Sequence, residues 1–109
     1  MAKNNTLDAD AFGKRKLILN GAEFHFRPAT IRDQLEYLTP NITPRIEKAL
    51  SESDTDERYR IMIEVIRRIA PDIPEDELLN CTDFQLNRIY FFVLNGVMPV
   101  DEEDEEKNF

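Results

Sequence analysis

The chain has 109 residues, 41% of them apolar and 33% charged, with one cysteine and a formal net charge of −8. That length fits one domain whose core is near the lower limit for independent folding. No stretch approaches the roughly 20 apolar residues of a membrane-spanning helix, and a lone cysteine excludes an intrachain disulfide. The opening MAKNNTLDADAFGKRK has no apolar h-region, so a cytoplasmic chain is expected.

The charge is uneven. Residues 101–107, DEEDEEK, hold six acids and one lysine, so five of the eight net negative charges sit there. The remainder is close to balanced and offers no basic face for phosphate contacts, so nucleic acid is not an expected partner.

Residues 1–13 are polar and aperiodic and are expected to be flexible. The stretch LILNGAEFHFRP follows. Leu17 and Leu19 alternate with their neighbours, as do Phe24 and Phe26, and Asn20-Gly21 between them is a strong hairpin signal, since both turn positions need positive φ. The hairpin is placed over residues 15–27. A two-stranded ribbon is marginal alone and leaves both edges unpaired, and no third strand is visible downstream.

Five helices are predicted next, over about 30–38, 43–51, 55–70, 74–80 and 82–95. The first has Thr30 as N-cap with Asp33 three residues on, Ile31, Leu35 and Leu38 on one face, and Pro40 as its stop. In the second, Thr43 caps and Pro44 takes the first helical position, where a missing N–H costs nothing. The third carries Tyr59, Ile61, Met62, Ile63, Val65, Ile66, Ile69 and Ala70 over more than half its circumference, so it is the central helix, covered on two sides. Pro71 ends it and Pro74 opens a short fourth helix. The fifth starts with the capping box Thr82-x-x-Gln85 and stops at Asn95-Gly96. The expected fold is mainly α with a short N-terminal β-hairpin (α+β), a small bundle of four to five helices packed with a ribbon. One globular unit spans 14–96, and an acidic disordered tail follows over 97–109.

The residues for catalysis are sparse. His25 is the only histidine and lies on the hairpin face opposite Phe24 and Phe26, with no positioned partner for general-base work. Cys81 has no Cys-x-x-Cys companion, so neither zinc nor redox chemistry is indicated. Gly13, Gly21 and Gly96 lie too far apart for a phosphate loop. The acids Asp101, Glu102, Glu103, Asp104, Glu105 and Glu106 lack the spacing and loop glycine of a calcium site. They are expected to be a solvated tail, or a segment that repels like-charged copies and meets a basic partner. No enzyme, cofactor or metal is expected.

The last helix has more apolar surface than one core contact uses. Leu86, Ile89, Tyr90 and Val93 point inward, whereas Phe84 and Phe91 share roughly the opposite face, with Phe92 and Leu94 flanking. These four side chains, with Leu17 and Leu19 on a free strand edge, form the expected protein-binding surface, for a second copy or for an apolar helix of another protein.

The order of motifs adds a family resemblance. LILNGAEFHFRPATIRDQLEYL, then IRRIAPDIPEDELLNCTDFQLNRIYFFV, is similar to the tail assembly chaperones of long-tailed bacteriophages and related prophages, over about residues 16–93. The resemblance implies a small, mostly helical, non-enzymatic protein that coats the long helical tape measure protein until tail-tube subunits replace it. It also implies that a ribosomal frameshift can add a C-terminal extension. Near the last two helices the chain resembles, more loosely, small baseplate-assembly proteins of contractile-tailed phages. Alternative readings are a virion structural or tail-completion protein and an acidic DNA mimic. The mimic fits less well, because its acids would be spread over the folded surface.

Overall fold

The structure, a computed structural model, describes residues 6–98. Residues 1–5 and the acidic segment 101–106 lie outside the described residues. Within the stretch expected to be flexible, Ala9–Phe12 winds one 3-10 turn, capped by the Asp8 carboxylate, which accepts from the Asp10 amide at 3.2 Å.

Strands β1 (Arg15–Leu19) and β2 (Ala22–Phe26) pair antiparallel, with Leu17 opposite Phe24 and Arg15 opposite Phe26. Asn20 and Gly21 have φ of 53° and 83°, the twist a two-residue hairpin turn requires. One face of the ribbon carries Leu17, Leu19, Phe24 and Phe26 toward the helices, and the other presents Lys16, Ile18, Glu23 and His25 to solvent. The ribbon is the only sheet among the described residues, and both its outer edges lack a strand partner.

The helical part departs from expectation at Pro40. Helix α1 (Ile31–Asp33) begins with the predicted capping box, Thr30 and Asp33 bonding reciprocally at 3.0 Å. It does not stop before Pro40. The chain widens into a π-helical run, Gln34–Ile42, and continues directly into α2 (Thr43–Ser51). Proline in an α-helix lacks an N–H and clashes with the carbonyl four residues back; a wider i→i+5 winding relieves the clash, and a side chain can serve the carbonyl left without its amide. The Thr43 amide bonds to the Leu38 carbonyl, five residues back, and Asn41 Nδ2 reaches the Glu36 carbonyl at 3.4 Å. Thr43 therefore caps nothing, although Pro44 does occupy the first turn of α2. The wider winding also rotates the first face. Tyr37, Leu38 and Ile42 are buried, whereas Ile31 and Leu35, expected inside, are 77% and 68% exposed.

Helix α3 (Thr55–Ile69) is central, as its broad apolar arc predicts. Its Ile61 and Val65 pack with Tyr37, Leu38, Ile42 and Ala49. Its Met62 and Ile66 pack with the ribbon's Leu19 and Phe26, with Ile73 and Leu78 around α4 (Glu75–Leu79), and with Leu86, Ile89, Phe92 and Val93 of α5 (Asp83–Asn95). The ribbon is thereby fastened as well as packed. Asn20 Nδ2 donates to Glu77 Oε1 at 2.7 Å, Arg15 Nε to the Gly96 carbonyl at 2.6 Å, and the Ala29 amide to the Val93 carbonyl at 3.0 Å. Helix α5 has the predicted Thr82–Gln85 box and ends on Gly96 in the left-handed region at φ 73°. A Cβ there would lie 2.9 Å from Pro28 Cγ, so the position demands glycine twice over.

Candidate functional site

Two of the six residues predicted to form a binding surface are core residues. Phe92 is 9% exposed and meets the Phe26 ring edge-on, with centroids 5.2 Å apart and planes at 85°. Leu19, 6% exposed, closes the same cluster from the ribbon. The ribbon and α5 cover one another's apolar surface, which explains both burials. Leu17 is half-buried against this cluster, and Leu94 is half-buried between the two clusters.

Phe84 and Phe91 stay outside, at 59% and 40% exposure. Seven residues apart on α5, they stand about 10 Å from each other along one outer face. Arg88, between them, lays its guanidinium over the Phe84 ring at 5.1 Å, which partly screens that ring from water. Behind this face, α5 and the Gln34–Ile42 run enclose a shallow groove of about 190 Å³ lined by Leu38, Ile42, Ile46, Tyr90 and Leu94. Ile31, Leu35 and Leu50 add exposed apolar side chains on the same long helical stretch. Ile31 and Leu35 were missed because the α-period of a first helix ending at Pro40 assigned them inward. The row Leu38, Ile42, Ile46 and Ala49, running through both prolines, was the available signal that the helix continues.

A larger open groove, about 540 Å³, lies between α3 and α4. Its walls carry Arg60, Arg67, Arg68, Glu64 and Glu75 around Ile63 and Leu79. A second depression of about 270 Å³ shares Ile63 and Leu79 and extends to Tyr59, Cys81 and Asp83 at the start of α5. Glu64 is engaged by Arg45 at 3.0 Å and by the Tyr37 hydroxyl at 3.3 Å. Burial first, and then the Glu64 carboxylate, push the Tyr37 hydroxyl above its ordinary pKa. Arg68 stacks on the Tyr37 ring at 4.0 Å, and Arg67 Nε donates to the Ile73 carbonyl at 3.2 Å. Neither has a carboxylate within 4.0 Å among the described residues.

The residues weighed for chemistry are placed as follows. His25 is exposed and pairs with Glu23 at 2.8 Å on the outer face of the ribbon. Cys81 is half-buried, with Sγ donating to the Glu77 carbonyl at 3.4 Å; burial, then the nearby Glu77 charge, raises its pKa and disfavours the thiolate. No group of three or more His, Cys, Asp or Glu able to hold a metal occurs among the described residues. None of the described helices is long and apolar enough to cross a membrane.

Neither a protein-family model, nor a curated protein, nor a solved structure matches this chain.

Proposed function

We propose that this protein is a non-enzymatic phage tail assembly chaperone. In the host cytoplasm it holds apolar helical segments of the tape measure protein until tail-tube subunits displace it. The observation that carries this reading is the division of labour on α5. One side completes the core through Leu86, Ile89, Phe92 and Val93, and the other keeps Phe84 and Phe91 in solvent. A large exposed aromatic pair on a well-capped helix is a surface suited to the apolar stripe of another helix.

A chaperone of this kind must also release its client. Two half-exposed rings and a shallow groove give a modest contact per copy, and arrayed copies along a long client gain strength through multivalency. The unpartnered edges of the ribbon offer copies of the chain a means of self-association.

The test is co-expression with a tape measure protein, starting from any long helical protein encoded next to this chain. The native chain is expected to keep that protein in the soluble fraction. Phe91→Asp and Phe84→Asp should each lose this rescue while retaining the native circular dichroism spectrum. Rescue undiminished in both variants would sink the proposal.

A further inference from the structure

From the α3–α4 groove we infer a docking site for the chain's own acidic segment, residues 101–106. This holds whatever partner α5 takes. Three arginines, Arg60, Arg67 and Arg68, flank the apolar strip formed by Ile63 and Leu79. The groove's carboxylates do not neutralise them. Glu64 is engaged by Arg45 and the Tyr37 hydroxyl, Arg45 also meets Glu57 at 3.7 Å, and Arg60 is only loosely paired with Glu57 at 3.9 Å, so the three groove arginines outnumber the lining carboxylates, Glu64 and Glu75, by one. Each guanidinium has five N–H donors. Arg67 commits Nε to Ile73, and Arg68 uses its face on Tyr37, so both retain in-plane donors suited to carboxylates.

The occupant follows from charge and reach. DEEDEE is the densest anionic run in the chain. Helix α5 starts beside the groove system. Asp83 lines the adjoining depression and accepts a hydrogen bond from the Tyr59 hydroxyl at 2.6 Å. Thirteen residues of α5 then carry the chain about 20 Å away. The acids 101–106 lie six to eleven residues beyond Asn95, a reach of about 20–36 Å when extended, enough for the later acids of the run to return to the groove. Tethering holds the acids at millimolar effective concentration, so weak ion pairs suffice for occupancy.

Paramagnetic relaxation in the full chain tests the docking. A nitroxide is placed at Asn108→Cys in a Cys81→Ser background, and arginine side-chain and isoleucine and leucine methyl signals are followed. The expected result is several-fold broadening that is strongest at Arg60, Ile63, Arg67, Arg68 and Leu79. It should be lost in the Arg67→Gln/Arg68→Gln variant and reduced by about 0.5 M salt, where the Debye length falls to about 4 Å. Broadening centred on Arg15, Arg32 or Arg88 instead, or spread evenly over the surface, would overturn the assignment. So would broadening that appears only when labelled chain is mixed with a separate spin-labelled chain, since the tail would then sit on a second copy.

Discussion

Replacing Phe92 by alanine separates the core side of α5 from its outer side. Phe92 is 9% exposed and forms an edge-to-face pair with Phe26, whereas its neighbour Phe91 is 40% exposed. Removing a buried phenylalanine side chain costs about 3–5 kcal/mol, because the transfer free energy is lost and the surrounding residues fill the cavity only in part. About 1 kcal/mol of that belongs to the ring pair. Phe91→Ala loses a partly solvated ring and leaves no closed cavity, so about 1–2 kcal/mol is expected. Domains of this size have a total stability of about 5–15 kcal/mol, so Phe92→Ala removes a large share. In equilibrium urea unfolding, with an m-value of about 2 kcal/mol per M, its midpoint should fall by about 2 M, against less than about 1 M for Phe91→Ala. A cycle with Phe26→Ala should show coupling of about 1 kcal/mol. If Phe92→Ala costs no more than Phe91→Ala, the ribbon does not cover α5 as described, and the division of that helix into inner and outer faces is wrong.

Three further outcomes are expected. Gly96→Ala places a Cβ in the left-handed region and against Pro28, and should cost about 1–3 kcal/mol in urea unfolding. Thr82→Ala removes the side chain that accepts from the Gln85 amide and should cost about 1 kcal/mol, with the helical signal of α5 fraying at its start by amide hydrogen exchange. Burial raises the pKa of Tyr90 in the folded state, so its contribution is complete below about pH 10, where the unfolded tyrosine is neutral. It is lost as the pH climbs toward the folded value, because the unfolded state releases its proton first. Tyr90→Phe should therefore make the alkaline fall in stability shallower, measured as urea midpoints from pH 8 upward.

Local signals proved informative wherever one residue type has one physical use. Asn20-Gly21 specified the turn, Thr30 and Thr82 the caps, and Gly96 the left-handed stop, since few conformations suit each. The eight apolar positions of α3 placed it at the centre, because no smaller contact could cover so wide an arc. Pro40 misled for an equally physical reason. Its ring forbids an α-helical turn but not a wider one, and that choice is made by the burial of Tyr37, Leu38 and Ile42 against α3, a long-range gain invisible to a local rule. On α5 the helical period separated inner from outer positions but could not tell that Phe92, at the border, would meet Phe26 from a strand more than sixty residues earlier. Ile31 and Leu35 were assigned inward by the same α-period that failed at the proline.

The widened run at Gln34–Ile42 has a consequence for how this chain can vary. Each residue added to an α-helix swings everything beyond it by about 100°, so α3, packed on two fronts, has no room for a change in length. A π-helical run already takes up surplus residues by loosening its coil. Losing Pro40 would remove a surplus residue and the clash together, and let the run tighten toward the ordinary pitch without unseating α2 from its place on α3. Between the fixed start at Thr30 and the fixed packing at Ala49, this segment acts as the slack in the scaffold. It is where insertions and deletions can gather, and where the exposed Ile31–Leu35 shoulder can be re-aimed while the centre stays as it is.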